Sequence, residues 1–404
     1  AAVIKRCGSF VKEGGYVGMI TPQTFMFISS YEEVRQWILK NYAIEQFAQF
    51  GLGGIFSETL VDTAAFTLLK NENKKMGYYL KLDIFKRDSD DKKKMLKESI
   101  LLTKNQANVN WAFYFEQSQF HLIPGSPFVY WVSDEIRNLF TKYKPLQNYA
   151  VVAQGLATAD NDRFLRYWWE VNEKDISQNY EIDHKKWVMY AKGGPFNKWY
   201  GNLWWVLNWE NDGLDAKKFA SSLYRNYSRI IKNESYYFKE GITYSHVSSF
   251  GFSIRYLPFN CIFDVGGSSL FIKNGYINLY LSILTSTLIK FIMKILNPTV
   301  NYQVGDLKNI PIPDSVEHNT ILSPLTQENI DIKKSLYSFH LIERNYKHDP
   351  LIWGLNQVRD SANSEKVIPE ALKAFFVHKA QLEAQLLLNE AKVDEEVFRL
   401  YELL

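Results

Sequence analysis

The run from Lys192 to Asn202 places two lysines, two asparagines, three glycines, a phenylalanine, a tryptophan and a tyrosine within eleven positions. Rings stack on planar ligands, ammonium groups neutralise phosphate, and amides pair with the donor and acceptor edges of bases. Lys192, Asn197, Lys198, Trp199 and Tyr200 are the candidates for that chemistry. Seven of the chain's 11 tryptophans lie between Trp168 and Trp209, so the same run also reads as a packed aromatic core crossed by a polar turn.

Three further segments carry related residue types. Gln154 to Arg166 begins with small residues, which let another backbone approach closely, then turns and brings Arg163 and Arg166. Those arginines suit phosphate, or they are surface residues on a capped helix start. Ser245 to Arg255 is a polar-aromatic strand or loop containing Ser248, Phe250 and Arg255, and it lacks the Gly-x-Ser-x-Gly elbow of a hydrolase. Asn297 to Asp306 holds Asn301, Tyr302 and Gln303, whose amides match an adenine edge or serve to pin a turn. The loop Gly51-Leu52-Gly53-Gly54-Ile55-Phe56 is not a dinucleotide motif, because no Gly-x-Gly-x-x-Gly opens a helix there. Phe56 at its end is either a presented ring or a core residue.

The totals limit what these segments can do. The chain has 404 residues, 46% hydrophobic and 23% charged, which is globular composition sufficient for two or three domains. A formal charge of +3 makes any contact with a polyanion a matter of local patches rather than of the global field. The two cysteines are far apart, the seven histidines are scattered, and no metal-ligand spacing occurs, so neither a disulfide framework nor a metal is expected. The cysteine usage fits a reducing cytoplasmic setting. Residues 277–296 are apolar but include Asn278, Lys290 and Lys294, which predicts one buried helix ending at Asn297-Pro298 and no membrane span. Ala1 at the start and an apolar helix face at the end predict a piece cut from a longer chain.

Positioning falls to an α/β region over residues 1–115. Strands are predicted at Tyr16–Ile20, Ile44–Phe50 and Thr63–Leu69, with a further arm at Leu80 to Ile84. Ser30 and Glu33 form a capping-box pattern ahead of a helix buried through Val34, Trp37 and Ile38. The order suggests the end of a doubly wound sheet. Asp88 to Lys97 mixes acids and bases and reads as a solvated loop. Residues 116–315 alternate short aromatic runs with Gly, Pro, Asn and Asp turns, predicting an α+β domain. Residues 316–404 read as a helical tail, with one helix starting near Pro369 and a second over Glu395–Leu404.

Six segments in fixed order resemble one family: residues 14–21, 155–164, 192–201, 208–213, 262–269 and 296–306. Together they resemble the large adenine-specific DNA methyltransferases of the BREX phage-defence systems. The resemblance implies methyl transfer from S-adenosylmethionine to adenine N6 in double-stranded DNA, with other BREX proteins as further partners. It implies that residues 1–115 end a Rossmann-like methyltransferase domain, 116–315 form the target-recognition domain and 316–404 a helical spacer. It also implies that Phe56 stacks on the target base, which must leave the duplex for its N6 to be reached. The DNA-binding residues so expected are Arg163, Arg166, Lys192, Asn197, Lys198, Trp199, Tyr200, Ser248, Phe250, Arg255, Asn301, Tyr302 and Gln303.

The chain contains neither an acidic-Pro-x-x-Gly-x-Gly cofactor loop nor an Asn/Asp-Pro-Pro-Tyr/Phe tetrapeptide, and in the family both precede the segment matching Gly14-Gly15. The expectation is a chain without catalytic residues of its own, unable to bind the methyl donor fully and inactive alone. The alternative is a non-enzymatic DNA-specificity or assembly subunit working with a separate catalytic chain.

Overall fold

The computed structural model describes residues 2–52, 61–70, 76–85, 90–358 and 367–404. It is a mixed α/β protein that divides into two compact units, Ala1–Tyr143 with Ile295–Pro298, and Lys144–Lys294 with Thr299–Leu404. Residues 316–404 thus cluster with the middle of the chain.

The first unit comprises α1 (Ala2–Ser9), β1 (Tyr16–Pro22), α2 (Glu32–Asn41), β2 (Ala43–Gly51), β3 (Thr63–Leu69), β4 (Met76–Lys81), α3 (Asp90–Asn105), β5 (Ala112–Glu116) and α4 (Asp134–Lys142). The sheet order is β1-β3-β2-β4-β5. β3 runs antiparallel to both β1 and β2, and β2 pairs parallel with β4. β1, β2 and β4 therefore share one direction, and a helical crossover through α2 joins β1 to β2, as parallel strands require. One sheet face is closed by Phe25, Phe47, Phe66, Tyr79, Phe128 and Tyr130 at ring separations of 4.9–6.3 Å. The other face and α3 enclose a cleft of roughly 900 Å³.

Three local expectations are corrected here. Ser30 lies in a 3-10 turn, Ser29–Tyr31, and α2 starts at Glu32 without a side-chain cap. The anchor is instead Arg35, whose buried guanidinium donates to the carbonyls of Phe25, Ile28 and Gly125 and whose pKa burial lowers to about 10. Residues 90–105 are helical rather than a loop, with residues 86–89 outside the described part. The Lys92 ammonium there reaches the Phe50 carbonyl at 3.0 Å, so one cation of the run is interior. The alternation Leu80-Leu82-Ile84 does not continue the strand. β4 ends at Lys81 and Leu82–Ile84 form a 3-10 turn.

The second unit contains β6 (Lys144–Pro145), β7 (Ala150–Ala153), α5 (Asn161–Phe164), β8 (Leu165–Tyr167), α6 (Tyr180–Asp183), β9 (Trp187–Ala191), β10 (Trp205–Asn208), α7 (Glu210–Tyr224), β11 (Gly241–Tyr244), β12 (Ile254–Leu257), β13 (Cys261–Phe263) and β14 (Ser269–Ile272). Helices then dominate: α8 (Ile277–Thr285), α9 (Thr287–Leu296), α10 (Val304–Lys308), β15 (Pro311–Ile312), α11 (Leu322–Tyr337), α12 (Pro350–Val358) and α13 (Val367–Leu400). Two four-stranded sheets, β13-β9-β10-β8 and β12-β11-β14-β7, carry the unit.

The apolar run 277–296 is two helices bent by 70°, not one. Ser286 takes an extended backbone at the break, and its hydroxyl accepts from the Ile289 amide. The Thr287 amide donates to Asp394 of α13, so two of the open donors of the new helix start are met. Among the described residues no single helix is long and apolar enough to cross a membrane. The two helices expected from Pro369 onward are one, α13, because neither Gly nor Pro interrupts residues 370–400.

Candidate nucleic-acid interface

The Lys192–Asn202 loop connects β9 to β10 and needs unusual backbone. Gly193, Gly194 and Gly201 have positive φ, and so do Trp199 (72°) and Asn202 (60°). A tryptophan in that region costs about 1–3 kcal/mol, so its surroundings must enforce it. They do so from both sides: the Trp199 amide donates to the Ile254 carbonyl, and the Tyr256 amide donates to the Trp199 carbonyl. The indole is 1% exposed and its Nε1 donates to Glu390 of α13 at 2.7 Å.

Arg255 of β12 holds the same loop from below. It is 1% exposed, and its Nη atoms donate to Ser245 Oγ, Ser253 Oγ and the Gly193 carbonyl at 3.1, 2.8 and 3.2 Å. Burial lowers its pKa to about 10. Ser245 Oγ donates to the Gly194 carbonyl, Ser253 Oγ to the Asn197 carbonyl, and Asn202 Nδ2 to the Pro195 carbonyl. The end of α11 and the turn after it close the outside. Asn197 Nδ2 donates to Tyr337 Oη, Tyr200 Oη to Asn345 and Trp204 Nε1 to Glu343.

The expected residues therefore sort by exposure. Asn197, Trp199, Tyr200, Arg255 and Tyr302 are interior; the first four make internal hydrogen bonds, though Arg255 Nε meets no partner, and the Tyr302 ring packs on Phe252 at 5.1 Å. Ser248 is also buried, with an Oγ that meets no partner within the protein. Lys198 is half-buried and pairs with Glu390 at 3.1 Å. Lys192 is half-buried with its ammonium over the Trp205 ring at 5.3 Å. Arg166 is half-buried and donates to the Asp162 and Leu165 carbonyls. Arg163, Phe250, Asn301 and Gln303 are exposed. Arg163 follows the Asp160 cap of α5 and lies 4.9 Å over Phe219. Phe56 lies outside the described residues.

Two distant segments meet at a second place. Val247 and Asn301 form an antiparallel bridge, the Ser248 amide donates to the Val300 carbonyl, and the Tyr302 amide donates to the His246 carbonyl. Gln303 Nε2 and His246 Nε2 are 3.2 Å apart. The resulting ridge exposes Val247, Phe250 and Val300. A Cβ on Gly251 would sit 2.9 Å from Lys290 Cε, so α9 lies against the ridge. Lys290, Phe291 and Lys294 are exposed on that helix, and the two lysines are four residues apart on one face. The ridge joins 246–252 to 299–303, two segments that carry no sign of their pairing in the sequence. The α9 lysines count there only against a membrane span, since an apolar helix suggests burial on every side.

A second unanticipated feature is a ring ladder. Tyr167 stacks on Trp169 at 4.6 Å and on Trp205 at 4.1 Å, with Lys192 beyond. Among the described residues no group of three or more His, Cys, Asp or Glu could hold a metal ion.

Glu390 tests the tie between α13 and the loop. Glu390→Ala leaves the buried Trp199 Nε1 without its acceptor and should lower stability by about 1–3 kcal/mol. Thermal melting and tryptophan emission report it, and an unchanged melting curve would show that the contact carries no weight.

A family model described as the Eco57I restriction-modification methylase matches residues 1–56. The chain is 33% identical over 341 residues to the adenine-specific methyltransferase BrxX of Escherichia coli O9:H4 (strain HS), covering 83% of this chain and 26% of that protein. It is 30% identical over 428 residues to the adenine-specific methyltransferase PglX of Lacticaseibacillus casei (strain Zhang), covering 99% of this chain and 35% of that protein. The chain thus spans about a third or less of these relatives. The structure of the Type IIL restriction-modification enzyme MmeI in complex with DNA aligns over 96% of this chain and 47% of its own, at 10% identity and a TM-score of 0.46. That backbone likeness is too loose to transfer residue roles. The sequence similarity runs along nearly the whole chain, and by it the chain belongs to the family of the adenine-specific methyltransferases PglX and BrxX.

Proposed function

We propose that this chain supplies DNA target recognition within an adenine-N6 methyltransferase that marks host DNA in phage defence. The observation that carries the reading is the 30% identity to PglX over 99% of the chain. Residues 1–115 are read as the end of the Rossmann-like domain, 116–315 as the recognition domain and 316–404 as a helical spacer. The shared direction of β1, β2 and β4, with reversed β3 set between β1 and β2, suits the end of such a sheet.

Direct contact with double-stranded DNA falls to the exposed candidates Arg163, Phe250, Asn301 and Gln303, with Lys192 and the α9 lysines beside them. The buried Trp199, Tyr200, Asn197 and Arg255 shape the loop that supports them. S-adenosylmethionine is the donor of the whole enzyme, but this chain's described residues do not fit it. The first unit's cleft is lined by Ile20, Ala48, Phe50, Ala65, Tyr78 and Leu80 with no carboxylate for a ribose. No catalytic step is therefore assigned to this chain, and other BREX proteins remain partners of the proposed whole enzyme.

The test is binding of the 404-residue chain to a pool of random-sequence duplexes at several salt concentrations. Non-specific affinity should lie at about 10⁻⁴–10⁻⁶ M at physiological salt and weaken steeply as salt rises. A chain that binds no duplex at low salt ends the reading. Labelled S-adenosylmethionine should give no methyl transfer with the chain alone, and detectable transfer would end the assignment of catalysis elsewhere.

A further inference from the structure

We propose that Phe250 is a wedge that enters a base step of the bound duplex, parting the stack while α9 holds the flanking phosphates. The proposal rests on the DNA-binding reading above and deepens it.

Phe250 is 81% exposed, the highest value among the chain's exposed large apolar side chains described. An exposed ring on a mobile loop would mean little, but both arms of this loop are tied down. The Val247–Asn301 bridge and the Ser248 and Tyr302 amide bonds tie the arm before it, residues 246–248, to residues 300–302, and Ser253 on the arm after it donates to the Asn197 carbonyl. Two residues on, Phe252 is buried against Tyr244 and Tyr302. Gly251 turns the backbone between them at a φ of 114°, so Phe250 points out while Phe252 points in. The ring is presented on fixed backbone, and the ordering entropy is largely met before any ligand arrives.

The surroundings select the ligand. Lys290 lies against Gly251, and Lys294 follows one turn later on the exposed face of α9. Val247 and Val300 are the other exposed apolar side chains of the ridge, and Asn301 and Gln303 are exposed on its second segment. An apolar tip flanked by cations and amides matches a stack of apolar ring faces bordered by phosphates and polar base edges. Proteins that insert such wedges unstack a step and kink the duplex, recovering the loss through wider contact. A protein partner would find the same apolar tip, but the lysines beside it favour a polyanion.

The experiment is plasmid relaxation by a type I topoisomerase in the presence of the chain, with bound protein measured in parallel. A wedge unwinds the helix, so the linking number of the relaxed, deproteinised plasmid falls in proportion to chains bound. Phe250→Trp should keep this shift. Phe250→Ser should keep binding within about threefold, because the phosphate contacts persist, and should lose most of the unwinding per bound chain. Its melting should match the parent's, since the side chain is exposed. Binding by the parent with no linking-number shift overturns the wedge. So does a Phe250→Ser chain that unwinds as much per bound molecule, or one that no longer binds at all, as a protein-docking tip with another path to DNA would give. Failure of the parent to bind the plasmid is a different result and removes the DNA-binding reading itself.

Discussion

Gly155→Ala should destroy the cooperative fold of the second unit. A Cβ at residue 155 would sit 1.7 Å from the Phe263 carbonyl oxygen and 2.4 Å from its carbon. Both are backbone atoms, so no rotamer change relieves the clash. Phe263 cannot retreat, because the Leu156 amide donates to its carbonyl at 2.9 Å and the next amide, Asp264, donates to Ala191 in β9. Tyr190 ties the same junction, its hydroxyl lying within hydrogen-bond reach of the Leu156 carbonyl at 2.7 Å and of the Asp264 carboxylate. Separating these chains breaks several buried hydrogen bonds and should cost at least about 3 kcal/mol, a large part of the stability of an ordinary domain. The measurement is soluble yield and thermal melting beside Gly305→Ala. Residue 305 has open space around it in α10, so that control should be neutral or stabilised by up to about 1 kcal/mol. A Gly155→Ala chain melting within a few degrees of the parent would refute the close approach.

Removing Lys290 and Lys294 together should weaken duplex binding on the order of 30-fold at moderate salt, taking about 1 kcal/mol for each phosphate left without its lysine. The sharper readout is the slope of log affinity against log salt, which should fall by about 2. The loss should be similar on every duplex sequence, since phosphate contacts carry no base information. Both side chains are exposed on α9, whose buried face is made by Leu288, Ile289, Ile292 and Met293, so melting should hold. The pair Lys192→Ala and Lys198→Ala should change the slope less, because Lys198 is engaged with Glu390 and Lys192 lies over Trp205. If the two pairs prove equivalent, or the α9 pair leaves the slope unchanged, the interface lies elsewhere.

The local elements with strong period and clear punctuation were legible. β3 spans the expected Thr63–Leu69, and β1 and β2 extend the expected strands by only one or two residues at an end. Small residues at 155–157 indicated a close backbone approach, and Gly155 makes one. Where tertiary contacts compete with local pattern, the expectation and the structure diverge. Ser286 breaks an apolar run because Asp394, more than a hundred residues away, caps the second helix. Residues 90–97 look solvated in sequence, yet Lys92 turns inward to a carbonyl of β2.

Six segments in fixed order, from 14–21 to 296–306, pointed by themselves to the family this chain belongs to, and their residue types to the chemistry expected of it. They could not say which of those residues face solvent. Tryptophan, tyrosine, asparagine and arginine serve equally in a packed hydrogen-bonded interior and on a recognition surface. That choice depends on partners remote in sequence: Glu390, Tyr337 and Asn345 draw Trp199, Asn197 and Tyr200 inward, while the pairing of Val247 with Asn301 lifts Phe250 out. Only the tertiary fold brings those distant groups within hydrogen-bond reach, so only it separates the framework from the exposed ridge.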